Sequence, residues 1–522
     1  MSREGLSRRR FIAVAGATGG AAVASQWPFA RARTAPPRFV GYPFTLGVAS
    51  GDPTPDGVVL WTRLAPAPLS PDGGMPAKPY PVQWEVAKDE AFTNVVARGE
   101  EIAVPGEAHS VHAEPAGLEP GYEYFYRFKA NGEISPTGRT KTAPATAASV
   151  AGLAFAFASC QQYEHGYYTA YKHMANEDLD LVIHLGDYIY EYDTNSYQVS
   201  GNTNVRGNSN HEIVDLGHYR ERHAQYKSDP DLQAAHAAFP WLVTWDDHEV
   251  DNNWADDIPE DGLPLEHFAR RRRNAFRAYW EHMPLRKATR PVGKDMQLFR
   301  RAAYGNLASF HVLDTRQFRS DQACGDGTRA GCDDRNNPAR TLTGAQQEQW
   351  LYNGLETSPA KWQVIAQQVF MAQRDATNGP GESYSMDGWD GYTVSRDKLL
   401  DFIETREIDN PIVITGDVHQ NWANDLLADF SNPQSKILGS EFVGTSISTT
   451  GDGNDNVNTA TMAENPWIKY NNQRRGYVRV QLDQNVCRTD YRTLQYVKRP
   501  GSPITTHKSF VVEAGNPGLK DA

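Results

Sequence analysis

The chain has 522 residues, a formal net charge of −12 and four cysteines. That length exceeds the usual single domain of about 100–200 residues, so one large domain with a smaller companion is expected. The acidic balance, with basic residues scattered after the N-terminus, excludes a dedicated nucleic-acid binder and gives no electrostatic footprint for a membrane surface.

In the first residues, SRRRFIAVAGATGGAAVAS sets paired arginines, Arg8 and Arg9, before a short, weakly apolar run with small flanking residues. Residues 1–32 resemble a twin-arginine export signal, with cleavage after Ala30-Arg31-Ala32; a plain basic tail is the alternative. The run is too short and glycine-rich for a membrane span. Such a signal engages the twin-arginine export machinery, which carries folded proteins. A secreted protein, released to the extracellular or cell-wall side with a cofactor acquired in the cytoplasm, is therefore expected.

From 42 to 144 short alternating runs (FTLGVASGD, GVVLWTRL, YPVQWEVAKD, YEYFYRFKANG) are separated by Pro, Gly and Asp clusters, the pattern of a small antiparallel β-sandwich. TAPATAASVAG then reads as a linker. From 151 to 522 apolar strands (LAFAFAS, LDLVIHLGD, WLVTWDD, SFHVLDT, WQVIAQQ, PIVITGD) alternate with helical stretches around His267 to Met283 and Thr343 to Leu355, so this part is α/β. Four cysteines are too few for a disulfide scaffold. Cys324 and Cys332, in CGDGTRAGC, could close a small loop in an oxidising compartment; sequence leaves that pairing open.

Three strands end on ligand-like residues: GDYIY at Gly186 to Tyr190, WDDHEVDNN at Trp245 to Asn253, and GDVH at Gly416 to His419. Ligands gather at strand ends in open α/β sheets. Asp187, Asp247, Asp417 and His419 would then converge, and such a group repels itself or stays protonated unless a cation sits within it. One such motif is weak evidence, because an Asp and a His after a strand also serve as a helix cap and a surface residue. Three in succession point to metal.

These blocks resemble the calcineurin-like metallophosphoesterases, whose ligand blocks run DxH, GDxx, GNH(D/E), a further His and GHxH around two metals. The departures are specific: Ser159-Cys160-Gln161 replaces DxH, Asp247-His248-Glu249 has aspartate for asparagine, and GDVH replaces GHxH. With GDxxY, LDTRQFR and DGWDGY, they resemble the PhoD-type alkaline phosphatases and phosphodiesterases, whose centre is described as iron and calcium. The resemblance implies a two-sheet α/β metallophosphoesterase sandwich preceded by an immunoglobulin-like β-domain. It implies a secreted, metal-dependent phosphoester hydrolase that acts on phosphate mono- or diesters through a metal-activated hydroxide.

Residue by residue, Tyr190 follows Asp187 closely enough for both to reach one ion, and a phenolate suits Fe(III). Cys160 would add a thiolate and His419 an imidazole, a mixed donor set typical of a transition metal. The alternatives are a buried structural thiol for Cys160 and a packing aromatic for Tyr190. Asp187 would bridge to a second site with Asp247, Asn253 and Asp417, whose oxygens select Ca²⁺, Mg²⁺ or Mn²⁺. Asp390, in GWDGY, is a further calcium ligand on this resemblance, or a turn residue. Asp246, Glu249 and Asp251 read as outer acids, and His184 as a buried strand residue. By resemblance His248 points at the scissile phosphate and protonates the leaving oxygen. Arg206, Arg316 and Arg396 are candidate phosphate binders, with Arg206 the choice. Two rivals are a phosphodiesterase specialised for teichoic-acid or phospholipid backbones and a non-catalytic surface metal-binding or adhesion protein.

Overall fold

The run LAFAFAS forms the strand Gly152–Ala158, and its side chains divide by period two between two cores. Phe155 and Phe157 face a core shared with Phe310, Val364, Ile412 and Phe442. Ala156 and Ala158 face the opposite side, with Val182, Trp241 and Val243. The structure is a computed structural model that describes residues 39–198, 204–260 and 262–522. The expected export signal at 1–32 lies outside the described residues.

The molecule is a mixed α/β protein with a ten-stranded and a seven-stranded sheet packed face to face. In the first sheet Gly152–Ala158, Leu181–His184, Pro240–Val243 and Val48–Thr54 run side by side and parallel. In the second, Ala308–Val312, Trp362–Ala366, Pro411–Thr415 and Ile437–Val443 do the same. Outside the first sheet lies the helix Leu265–His282, buried through Phe268, Phe276 and Tyr279. Gly344–Thr357 and Thr393–Thr405 cover the second through Leu351, Leu355, Leu399 and Ile403. Aligned parallel strands bring their carboxyl ends together, which is what a strand-end site requires.

The N-terminal strands do not close on themselves within 42–144. Val48–Thr54, Gly57–Arg63 and Ser110–Ala113 extend the ten-stranded sheet, with Ser50 opposite Pro240 and Gly51 opposite Trp241. Gly51 is needed there, because a Cβ would lie 2.5 Å from the Pro284 carbonyl and 2.7 Å from that of Trp241. A second sheet of Tyr80–Ala87, Val95–Ala103, Glu123–Ala130, Glu133–Ile134 and Gly138–Lys141 covers them through Val82, Val86 and Tyr126. The alternation expected of these strands does not appear as one exposed face: Val48–Thr54, Gly57–Arg63 and Ser110–Ala113 are buried along nearly their whole length, as strands covered on both faces are. Cys324 and Cys332 are joined by a disulfide, while Cys160 and Cys487 are free and buried.

Candidate metal centre

The loops that follow Gly152–Ala158, Leu181–His184, Pro240–Val243 and Pro411–Thr415 meet beside an isolated bridge between Ser159 and Ser446. Five candidate ligands hold left-handed backbone: Cys160 at φ 58°, Asp187 at 56°, Asn253 at 47°, Asp417 at 64° and His419 at 55°. Such conformations cost most non-glycine residues about 1 kcal/mol or more and persist where surrounding structure imposes them, often at functional sites. Gly186, at φ 111°, lets the loop press against the next one: a Cβ there would lie 2.5 Å from both N and Cβ of Asp246.

One group of donors is Cys160, Asp187 and His419, whose ligand atoms all lie within 4.8 Å of one another. Tyr190 joins it, with its hydroxyl 2.7 Å from Asp187 Oδ2 and 3.4 Å from His419 Nε2. Thr449 Oγ1 sits within reach of both the Tyr190 hydroxyl, at 2.9 Å, and the Cys160 carbonyl, at 2.7 Å. Burial and then the neighbouring Asp187 push the Cys160 thiol and the Tyr190 phenol well above their usual values. Burial and then Arg475 lower the His419 imidazole to about 3, so it is neutral with a free lone pair. Arg475 also donates to the His419 carbonyl and fixes that loop.

A second group is Asp246, Asp247 and Asp417, again within 4.8 Å, and a third is Asp187, Asp247 and His248. Burial, and then the surrounding carboxylates, raise Asp417 well above the carboxylate range. Asp187 is raised too, chiefly by burial, against the pull of His248. Asp246, sequentially adjacent to Asp247, is pushed up to about 7 by burial against the pull of Arg316. Arg316 is wholly buried: its Nε donates to Asp246 at 2.5 Å, its Nη2 lies 3.4 Å from Asp247, and both terminal nitrogens grip Asp387 at 2.8 Å. Asn253 donates its main-chain N–H to Asp247 Oδ2 at 2.9 Å.

His248 stacks on the Tyr190 ring, centroids 4.1 Å apart, and shares its Nδ1 with Glu191 Oε2 at 2.8 Å. Its Nε2 is 3.9 Å from Asp247 Oδ2. Burial lowers the basicity of this imidazole, but Glu191, Asp247 and Asp187 together raise it well above its usual value. Glu249 plays a different part: its carboxylate accepts the main-chain N–H groups of Asp187, Tyr188 and Asp246, at 3.0, 2.5 and 2.8 Å, and so ties the two loops together.

The structure thus brings together Cys160, Asp187, Tyr190, Asp247, His248, Asn253, Asp417 and His419. It does not bring in Asp390 or Arg206. Asp390 is spoken for by Arg396, at 2.6 Å, and by the main-chain N–H of Arg374, at 2.9 Å. Arg206 bonds to Asp229 at 2.6 Å and to the Tyr163 and Gly166 carbonyls, with its guanidinium 3.7 Å from the Tyr163 ring centroid. A charged side chain in a suggestive segment had nearer partners in both cases. Sequence reading passed over Asp387, Glu191 and Arg475, and ranked Asp246 as an outer acid. Only Glu191, directly after Tyr190, carried a signal by position.

The donor set fits a metal pair. Asp187 Oδ1 and Asp246 Oδ2 are buried without hydrogen-bond partners. The thiol, phenol and carboxyl groups around Asp187 and Asp417 are held toward their neutral forms by burial and mutual repulsion, which cations among them would reverse.

Comparison with known proteins identifies the family. Residues 155–491 match the model of the PhoD-like phosphatase, and residues 30–144 that of its N-terminal domain. Alkaline phosphatase D of Bacillus subtilis (strain 168) is 54% identical over 518 residues, spanning 98% of this chain and 88% of that protein. A solved structure described as that of PhoD superposes with a TM-score of 0.92 at 55% identity, covering 93% of each chain. The chain belongs to the PhoD-like phosphatase family and is a phosphoric ester hydrolase.

Proposed function

We propose that Cys160, Asp187, Tyr190 and His419 hold a ferric ion, and that Asp187, Asp247, Asn253 and Asp417 hold calcium, with Mg²⁺ or Mn²⁺ as alternative occupants. The observation that carries this is the convergence of thiol, carboxylate and imidazole donors within 4.8 Å, with a phenol 2.7 Å from the same carboxylate. Sulfur, nitrogen and phenolate donors favour a transition metal, whereas an all-oxygen set favours a hard cation. Asp390 drops out of the ligand set, and Asp246, bonded to Arg316, stands beside Asp247 in the same carboxylate group. Bound there, the two ions would supply Lewis acidity toward the phosphoryl oxygens and a water acidic enough to attack near neutral pH.

The protein's own groups supply the rest. His248, with Nδ1 held by Glu191, is set to carry a proton on Nε2 for the departing alkoxide. Glu249 keeps the Asp187 and Asp246 loops in register, and Arg316 offsets the charge of Asp246, Asp247 and Asp387 from behind. Elemental analysis of the purified protein tests the reading: about one iron with calcium per chain is expected, and zinc alone would overturn it. Parallel rates on p-nitrophenyl phosphate and bis-p-nitrophenyl phosphate then rank monoesters against diesters.

We also infer export in folded form by the twin-arginine route, with residues 1–32 as the signal, 42–144 as the N-terminal part and 151–522 as the catalytic part. The paired arginines and the Cys324–Cys332 disulfide, a bond that persists outside reducing compartments, support this. Among the described residues no helix is long and apolar enough to cross a membrane. Replacing Arg8 and Arg9 by lysine should keep phosphatase activity inside the cell; undiminished export of that variant would refute the route.

A further inference from the structure

The loop from Cys324 to Cys332 contributes none of the proposed metal ligands, yet it touches one of them. Its ends are joined by the disulfide, and its middle, Thr328–Ala330, pairs antiparallel with Ser383–Ser385. Met386 N–H donates to the Gly327 carbonyl at 3.0 Å, and Ala323, Cys332, Tyr384 and Met386 form a small apolar cluster beneath it. This scaffold presents two side chains to Asn253. Gln322 Nε2 donates to the Asn253 carbonyl at 2.7 Å and to Asp387 Oδ1 at 2.9 Å. Asp326 Oδ2 accepts from Asn253 Nδ2 at 2.5 Å, while Asp326 Oδ1 is buried without a partner.

A carboxylate can only accept, so the amide nitrogen of Asn253 has to lie on the Asp326 side and the amide oxygen on the other. The main chain of Asn253 is fixed at the same time, its N–H by Asp247 and its carbonyl by Gln322, in left-handed backbone. Every polar group of the residue except Oδ1 is thus spoken for, and Oδ1 is the atom a hard cation would use.

We propose that Asp326 is a positioning residue for the oxygen-rich metal site: it sets the orientation of the Asn253 amide, and the Cys324–Cys332 staple holds Asp326 in place. The inference rests on Asn253 being a ligand. Outer partners of this kind set ligand orientation, and losing one typically costs about 10–100-fold in metal affinity. The effect is confined to the oxygen-rich site, since Cys160, Tyr190 and His419 come from other loops.

The test is equilibrium Ca²⁺ binding to the full exported protein, measured by competition with a chromophoric chelator, beside iron content and the melting temperature of calcium-free protein. Asp326→Ala should weaken Ca²⁺ binding about 10–100-fold with iron per chain and melting temperature unchanged. Asp326→Asn, whose carbonyl oxygen accepts the same hydrogen bond, should recover most of it. The double variant Cys324→Ser, Cys332→Ser should weaken Ca²⁺ binding in the same direction. Unchanged Ca²⁺ binding in Asp326→Ala overturns the positioning role if Asn253→Ala weakens it; if Asn253→Ala is also silent, the ligand reading itself fails. Joint loss of iron and calcium in Asp326→Ala would reduce the loop to a structural prop. Unaltered affinity in the cysteine double variant would remove the staple from the proposal.

Discussion

Tyr190 and Asp187 are three residues apart in sequence and 2.7 Å apart through hydroxyl and carboxylate, so a single loop carries both donors of the proposed iron site. The phenol is buried and held protonated by burial and then by the Asp187 charge. Phenolate and thiolate on Fe(III) should give a visible charge-transfer band in the oxidised protein. Tyr190→Phe should weaken or shift that band, and Cys160→Ser should lower the iron per chain. An iron-replete wild type without visible absorption, or a Tyr190→Phe spectrum identical to it, would remove Tyr190 from the ligand set.

The oxygen-rich site predicts dependence on a hard cation. Prolonged treatment with EGTA should abolish turnover, and Ca²⁺ should restore it. Asp417→Asn should raise the calcium needed for half activity. Asp390→Asn should leave the calcium requirement where it was, because the Asp390 carboxylate is held by Arg396 and the Arg374 N–H rather than facing the cluster. A calcium requirement that moves with Asp390 and not with Asp417 would reverse the assignment made from geometry.

The clustered donors were legible in sequence because a strand end is marked twice, by the apolar run before it and by the glycine that turns the chain. GDYIY and GDVH carry both marks, and Asp187, Tyr190, Asp417 and His419 meet as that pattern implies. What surrounds them was not legible. SMDGWDGY holds two aspartates in turn-like settings, and nothing local says that Asp387 is gripped by Arg316 and Arg319. Those two ion pairs depend on where a distant loop crosses, whereas Asp390 pairs with Arg396 on the helix that directly follows it. The same dependence on distance holds for Val48–Thr54: its parallel partner, Pro240–Val243, lies almost two hundred residues on.

Lys227 gives a prediction independent of metal. Its ammonium is buried 4.3 Å from the Trp61 ring centroid and 5.4 Å from that of Tyr188, and desolvation lowers its pKa from 10.5 to about 7. Between these values the unfolded chain binds a proton that the folded chain does not, so stability rises with pH, by up to about 1.4 kcal/mol per unit for one such group. Below about pH 7 both states are protonated and the cost of burying the charge is felt in full. Lys227→Met should therefore be more stable than wild type in acid, with the difference narrowing from pH 7 to 10. Urea unfolding midpoints at pH 6, 8 and 9.5 measure it; a pH-independent difference would mean that the lysine titrates normally.

The last prediction separates proton delivery from metal binding. His248 lies against the cluster, stacked on Tyr190, with its Nδ1 tied to Glu191, whose other oxygen accepts the Asn252 N–H at 2.9 Å. If its Nε2 protonates the leaving oxygen, His248→Ala should keep both metals and lose about 10²–10⁴-fold in turnover. The deficit should be larger for an alkyl phosphate than for p-nitrophenyl phosphate, because p-nitrophenolate departs with little need of a proton. Glu191→Gln keeps a hydrogen-bond acceptor for the ring but removes the charge that favours the imidazolium, so its loss should be smaller and should grow as pH rises. Equal deficits across leaving groups would recast His248 as a phosphate-orienting residue, and loss of a metal in His248→Ala would make it a ligand.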